Sequence, residues 1–375
     1  MIRLLHTADI HLGARFLSLG DKGAAQRQQI KAAFKNLVSL AVAEHVDIVL
    51  ISGDLFDSNQ QPQANVDLVV EQFGLLAASS IPVCLIPGTH DRFDSASIYR
   101  KFDFSAKCPN LALFLDAGWN HREFPTLGLT VYGKPNLSNR SYDSPLEGLA
   151  PSTSSRYHVA LAHGSFNIPG RFAEDDYVFT ADQIQSSRMH YLALGHWHSP
   201  YACSDKGVPA WYSGSPEIID MDQKQPGSVL LVTLPDSGAA QVEIRETGLR
   251  RCDRLDIDLS DIDSLSQLRQ QIADGADPDL IRQVVLKGLR SQDLRPSPEE
   301  LESELSDAFF HLSVDDRSHP RVADLPETAY AERVILARFV GLMKRHIQAC
   351  PAEEKEIAAD ALQYGLALLQ GEEVV

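Results

Sequence analysis

The sequence has little cysteine, methionine or tryptophan, no long apolar run and no surplus of positive charge. Its five cysteines (Cys84, Cys108, Cys203, Cys252 and Cys350) are scattered, odd in number and form no C-x-x-C. This argues against a disulfide framework and predicts reduced thiols in a cytoplasmic protein. No stretch approaches the ~18 apolar residues that a membrane span needs. Arg3 and His6 interrupt the opening apolar residues, so no signal peptide is expected and the chain reads as soluble, with no membrane partner. Lys and Arg number 34 against 51 Asp and Glu, a formal charge of −17. A chain so charged does not coat DNA by bulk attraction, although bound cations would invert that field locally. Neither an internal repeat nor a low-complexity tract stands out.

What is present is enough apolar residue for a full core: 44% of 375 residues, which predicts two or three domains. The apolar run Val46–Ile51 reads as a strand buried on both faces, stopping at Gly53 so that Asp54 emerges at its carboxyl end. In open α/β sheets ligands bind at that edge, and a carboxylate is costly to bury there unless a cation or a donor faces it. A strand–Gly–Asp is often only a turn. What raises Asp54 is its company: four further strand ends bearing His or Asp.

The first is Thr7-Ala8-Asp9-Ile10-His11, where two ligand-type side chains stand two residues apart, on one side if the chain stays extended. Taken alone, this pair reads equally as a strand-end Asp beside an exposed His. An amphipathic helix over Gln26–Glu44 follows, with Arg27, Lys31 and Lys35 on its solvated face, completing a parallel β–loop–α–β unit. A second helix, Gln63–Ala78, leads to a strand over Ile81–Ile86 that exits through Pro87-Gly88 into Thr89-His90-Asp91. A His followed at once by Asp suits a proton donor whose charged form the carboxylate favours; the plainer reading is a capping Asp beside a surface His. Leu111–Leu115 and Leu127–Tyr132 read as strands of a second sheet, and Asn136–Arg156 as a long loop over the active edge. Tyr157–Ala162 ends at His163-Gly164. Tyr191–Leu194 ends at Gly195-His196-Trp197-His198, two His at i and i+2 that can turn their rings toward one centre, with Trp197 packing the other way. The hairpin Ser228–Leu234/Ala239–Thr247 closes this domain.

In order and spacing, Asp-x-His, Gly-Asp-Leu-Phe-Asp, Gly-Thr-His-Asp, His-Gly and Gly-His-x-His resemble the calcineurin-like metallophosphoesterases over residues 1 to about 250. The opening His6-Thr7-Ala8-Asp9-Ile10-His11-Leu12-Gly13 and the later Gly214-Ser215-Pro216-Glu217 narrow the resemblance to SbcD-type DNA repair exonuclease subunits, counterparts of the Mre nucleases. The resemblance implies an α/β fold: a four-layer α/β/β/α sandwich followed by a small α+β capping domain and C-terminal helices. It implies two divalent cations, with Mn²⁺ favoured by oxygen and imidazole ligands and Fe²⁺ or Zn²⁺ as alternatives. Asp9, His11, Asp54 and His198 would hold one ion; Asp54, His163, His196 and position 89 the other. Water would attack a phosphodiester in line, His90 would protonate the leaving oxygen, and Asp91 would orient His90. Asp57 falls where relatives place a residue for handling substrate. Position 89 departs from the pattern: the family has Asn, whereas Thr89 offers a shorter and weaker ligand. The implied partners are DNA and an SbcC-like ATPase, with a homodimer as a further expectation.

Beyond residue 250 the chain reads as a strand (Arg251–Leu259), helix (Asp263–Ala273), strand (Leu280–Leu289), helix (Pro298–Phe309, capped by Ser297) and strand (His311–Val314). Residues 251–320 are therefore expected as the capping domain and 321–375 as a helical segment, with helices over Leu325–Gln348 and Ala352–Leu369 broken at Pro351. Val334, Ile335, Phe339, Leu342, Met343 and Ile347 form a stripe that serves equally as core or as a docking face for a partner's coiled coil. Residues 251–375 hold 14 Lys/Arg against 25 Asp/Glu, which argues against a DNA-binding arm. Two other functions compete with a nuclease. A phosphatase or small-substrate phosphodiesterase would use the same fold, but Ser58-Asn59 stands where protein phosphatases carry Arg-Gly, and no Tyr follows Asp54 as in purple acid phosphatases. A non-catalytic scaffold has only Thr89 in its favour.

Overall fold

A computed structural model describes residues 1–168, 176–204, 207–221, 223, 225–291, 293–320, 334–351 and 354–370. The chain divides into two compact units, Met1–Asp253 and Arg254–Val375.

The first unit runs β1 (Ile2–Thr7), α1 (Gly23–Ala43), β2 (Ile48–Ser52), α2 (Gln63–Ala78), β3 (Val83–Ile86), then two single-turn helices, α3 (Ile98–Lys101) and α4 (Phe104–Lys107). It continues through β4 (Leu111–Leu113), β5 (Asn120–Phe124), β6 (Leu129–Gly133), β7 (Tyr157–His163), α5 (Ala181–Ser187) and β8 (Tyr191–Gly195). It closes with β9 (Tyr201–Ala202), β10 (Ala210–Tyr212), β11 (Ser228–Leu234) and β12 (Gln241–Glu246). These strands make two six-stranded mixed sheets, ordered β12-β11-β1-β2-β3-β4 and β5-β6-β7-β8-β10-β9. In the first sheet β1 to β4 run parallel; in the second β6, β7, β8 and β10 do.

Period-two alternation sorts the side chains into layers. Leu5, Val49, Ile51, Val83 and Leu85 pack under Ile30, Phe34, Leu37, Val66, Val69 and Phe73 of α1 and α2. Their neighbours Leu4, Ile48, Leu50, Cys84 and Ile86 meet Leu129, Val131, Val159, Leu161 and Ala193 of the second sheet. The outer face of that sheet (Tyr132, Ala160, Leu192, Leu194) is covered by Phe179, Ile184, Leu146 and Leu149. The result is the expected α/β/β/α sandwich, with one short helix and a loop as its fourth layer.

One expectation is corrected here, and two features went unforeseen. Leu111–Leu113 pairs with β3 at the edge of the first sheet, not the second. The polar segment Asn120–Phe124, which carries no apolar alternation, is a strand because β6 offers it an antiparallel edge. Within the loop 136–156, Leu146 and Leu149 are buried in the outer core.

The second unit contains most of β13 (Arg251–Asp258), then α6 (Leu265–Ala273), β14 (Leu280–Lys287), β15 (Leu289–Arg290), α7 (Pro298–Leu305), β16 (His311–Asp316) and β17 (His319–Pro320). β14 and β16 pair in parallel within a three-stranded sheet. Ser264 and Ser297 cap α6 and α7, accepting from the Gln267 and Glu300 amides. α7 is shorter than expected, tightening after Leu305 into a 3₁₀ turn. α8 (Val334–Ala349) and α9 (Lys355–Gln370) pair through Leu336, Val340, Leu362 and Leu366, with Phe339, Met343 and Ile347 alongside. The apolar stripe of α8 therefore splits, because Ile335 and Leu342 stay exposed. Residues 325–333 and 352–353 of the expected helices lie outside the described residues. No helix among the described residues is long and apolar enough to cross a membrane.

Candidate metal centre

Strands β1, β2 and β8 release their ligand-type residues in turns, whereas His163 is the last residue of the extended strand β7. Asp9, His11 and Asp54 lie in the left-handed region (φ 52°, 51° and 51°), and His196 has φ 115°. Non-glycine residues rarely adopt such angles, and they cluster at functional sites where the surrounding fold enforces them. Asp9 and His11 are thus not two residues apart on an extended strand, as the spacing suggested. Their loops are laced together instead: the Asp9 amide donates to the Gly53 carbonyl, His11 to Asp54 and Leu12 to Leu55, at 3.0–3.1 Å. Gly53 is required at its position. It has φ 93°, and a Cβ there would sit 2.3 Å from Nδ1 of His163.

These turns gather nearly every side chain singled out in the sequence. Asp9, His11 and His198 each offer a ligand atom within 4.8 Å of the others, and so do Asp9, Asp54 and His163. Asp54 stands between the two groups: its Oδ2 lies 3.9 Å from Nε2 of His11 and 3.2 Å from Nε2 of His163. Its Oδ1 accepts the His90 amide at 2.8 Å. The Thr89 hydroxyl donates to Oδ2 of Asp54 at 3.3 Å and lies 3.5 Å from Nε2 of His163. His196 and His198 do not share one centre. The His198 ring packs on His11 and the His196 ring on His163, each at 5.2 Å between centroids, while the His196 amide donates to both Asp9 oxygens. Trp197 turns away and stacks on Tyr212.

Three imidazoles are held from behind at Nδ1. His11 Nδ1 donates to Oδ1 of Asp57 at 3.3 Å, His163 Nδ1 to the Ser52 carbonyl at 2.9 Å, and His198 Nδ1 to Oδ2 of Asp220 at 2.5 Å. Fixing one nitrogen as a donor leaves Nε2 as a lone pair, the form in which imidazole binds a cation. Nε2 of His11 is buried with no hydrogen-bond partner among the described residues, which suits a divalent cation's ligand and which a neutral core does not explain. Carboxylate and imidazole without thiolate complete the fit.

The electrostatics agree. Burial opposes charge on His11, but the Asp57 hydrogen bond and the charges of Asp54, Asp9 and Asp57 outweigh it and push the ring up to about 9. Burial likewise opposes charge on His163, yet Asp54, Asp9 and the Ser52 carbonyl raise it to about 9. Burial disfavours the Asp54 carboxylate, but His163, His11 and His90 hold it well below the usual range. The cluster is built to hold positive charge, and cations entering it would displace protons.

Asp91 is a correction. It was expected to orient His90, but both its oxygens are taken: by the Gly88 amide at 2.7 Å, the Phe56 amide at 3.1 Å and the Tyr99 hydroxyl at 2.6 Å. Fully buried, Asp91 staples the Thr89–His90 loop to the end of β2; burial and then the Asp54 charge raise its carboxyl to about 6. The group actually beside His90 is Asp57, whose carbonyl accepts from His90 Nδ1 at 3.1 Å. Tyr99→Phe should therefore lower stability by about 1.5–3 kcal/mol, the range for a hydrogen bond to a charged group. Metal affinity should be unchanged; chemical denaturation and Mn²⁺ titration measure the two.

Sequence reasoning missed Asp220 and Tyr99 entirely, since neither adjoins a motif residue and only the fold brings them to the site. It found Asp57 but not its contacts.

Comparison with known proteins fits this geometry. The calcineurin-like phosphoesterase family model matches residues 2–200, just over half the chain. An uncharacterized metallophosphoesterase of Bacillus subtilis, YhaO, is 25% identical over 282 residues, 73% of this chain and 67% of that protein. The DNA double-strand break repair protein Mre11 of Aeropyrum pernix is 30% identical over 288 residues, 70% of this chain and 64% of its own length. Mre11 of Saccharolobus solfataricus is 28% identical over 225 residues, covering 58% and 55%. The chain thus spans roughly half to two-thirds of the length of these relatives. With a family model across the strands that carry Asp9, Asp54, His163, His196 and His198, this chain belongs to the calcineurin-like phosphoesterases.

Proposed function

We propose that the chain is a two-metal phosphodiesterase that cuts DNA, working as an exonuclease in DNA repair beside an SbcC-like ATPase. The observation that carries the two-ion part is the position of Asp54, one of whose oxygens faces both His11 and His163. The DNA part rests on the 28–30% similarity to the Mre11 proteins.

Asp9, His11, Asp54 and His198 would hold one ion, and Asp54, His163, His196 and Thr89 the other. Bound there, divalent cations supply Lewis acidity that lowers the pKa of water and neutralises phosphate charge. The chain's own residues do the rest. Asp57 keeps the His11 ring in register through its carboxylate and the His90 ring through its carbonyl, so its role is to hold these rings rather than to touch substrate. His90, half exposed at the open side, is anchored at Nδ1 and so presents Nε2, from which it delivers a proton to the leaving oxygen. In this reading residues 251–320 present DNA to the site, α8 and α9 meet the partner, and the chain acts as a homodimer. Mn²⁺-dependent digestion of an end-labelled duplex tests the proposal; an enzyme that turns over bis(p-nitrophenyl) phosphate but leaves DNA intact would overturn the DNA assignment.

Thr89 makes the ions unequal. Its hydroxyl lies near Asp54 and His163, but it is a weaker ligand than an amide oxygen and about one bond shorter than Asn. The Asp9/His11/Asp54/His198 site should therefore fill first, and Thr89→Asn should lower the Mn²⁺ concentration for half-maximal activity by about tenfold, the low end of effects at metal-site partners. Superimposable Mn²⁺ titrations of the two proteins would contradict this.

A further inference from the structure

The loop 214–220 is tied down more firmly than its exposure requires. The Ser215 amide donates to the His198 carbonyl at 3.1 Å, and its hydroxyl reaches the Glu217 carbonyl at 2.7 Å. Glu217, fully buried, accepts from the Ile218, Leu249 and Arg250 amides at 2.9, 2.8 and 3.1 Å, and from Gln29 of α1 at 2.8 Å. Gln26 of the same helix donates to the Ile218 carbonyl at 2.8 Å. Gly214 comes so close to His198 that a Cβ there would lie 2.9 Å from the His198 carbonyl oxygen. The same loop ends at Asp220, whose Oδ2 is 2.5 Å from Nδ1 of His198.

A carboxylate on a surface loop is ordinarily solvated and mobile, and an exposed Asp–His pair adds little. Here the loop fixes both ends of one arrangement, the main chain of His198 through Ser215 and its ring through Asp220. We propose that Asp220 is a positioning residue for the first metal ion. It holds the proton of His198 on Nδ1 and so keeps Nε2 a lone pair on a ring that offers a ligand atom within 4.8 Å of those of Asp9 and His11, and Gly214-Ser215-Pro216-Glu217 is the brace that places Asp220 there. This rests on the two-ion reading above and gives that sequence motif a physical task. Among the described residues Asp220 joins none of the candidate ligand groups, and its Oδ2 is spent on Nδ1 of the ring. Asp57 does the same for His11, so the first ion would be gripped by two imidazoles that are each backed by a carboxylate.

The test is Mn²⁺ calorimetry with wild type, Asp220→Ala and Asp220→Asn, paired with nitrogen-15 NMR of the histidine rings in the metal-free protein. Loss of such a partner typically costs 10–100-fold in metal affinity. Asp220→Ala should therefore weaken the tighter Mn²⁺ site by about 10–100-fold and leave the looser one unmoved. Asp220→Asn, which keeps an oxygen to accept the proton, should stay closer to wild type. In wild type His198 should carry its proton on Nδ1, and in Asp220→Ala that preference should be lost. The inference is overturned if Asp220→Ala binds Mn²⁺ as tightly as wild type, or if wild-type His198 is protonated on Nε2 alone. The ring measurement on wild type decides the matter even if Asp220→Ala does not fold. Because the readouts are metal affinity and tautomer, a wild type that binds both ions but cuts no DNA would count against the nuclease reading alone.

Discussion

Asp54→Asn should lose both ions together. One oxygen of this carboxylate lies between His11 and His163, so an amide there weakens two sites through one atom. Its charge is also what those rings answer to, since the raised values of both depend on Asp54. Lewis-acid stabilisation by a bound cation is worth several kcal/mol, and each 1.36 kcal/mol is tenfold in rate. Turnover should therefore fall by at least about 10³-fold. The fold should survive, because Asn keeps the volume and an oxygen for the His90 amide. Calorimetric Mn²⁺ titration with a phosphodiesterase assay measures it, and a mutant that keeps one ion at wild-type affinity would show that Asp54 is not shared.

His90→Asn should behave in the opposite sense. The ring is anchored at Nδ1 to the Asp57 carbonyl and stands edge-on to His11, 4.6 Å between centroids, at the exposed side of the cluster. As a proton donor it contributes about 10²–10⁴-fold to turnover. The mutant should lose that factor while binding both ions with unchanged affinity. The loss should shrink on bis(p-nitrophenyl) phosphate, whose acidic leaving group needs little protonation. A mutant that instead loses an ion would place His90 among the ligands, as its grouping with His11 and Asp57 allows.

These predictions concern residues that were visible in the sequence, and the reason is local. Each stands within two or three residues of a strand's apolar run, so pattern alone puts Asp9, Asp54, Thr89, His163 and His196 at carboxyl ends. What could not be read was anything set by contacts across the fold. Asp91 follows His90 directly, yet its oxygens turn to Gly88, Phe56 and Tyr99. Adjacent residues on a tight turn point different ways, and chain proximity misled. Asp220 is 22 positions from His198, with no repeat or spacing to connect them. The left-handed turns at Asp9 and His11 were equally hidden, because nothing in Asp-Ile-His announces a positive φ. The sheet assignment of Leu111–Leu113 failed for a related reason: three residues can be recognised as extended, but which edge accepts them depends on β3. In α8 the stripe divides: Phe339, Met343 and Ile347 pack beside Leu336 and Val340, which the stripe left out, whereas Ile335 and Leu342 stay exposed.

The account stands on two ions sharing Asp54, and the direct measurement is electron paramagnetic resonance of the chain loaded with Mn²⁺ to saturation. Two Mn²⁺ bridged by one carboxylate are exchange-coupled, so the account predicts the spectrum of a coupled pair, with Asp54→Asn abolishing it. A saturated protein that shows only the spectrum of isolated Mn²⁺ would contradict the shared carboxylate.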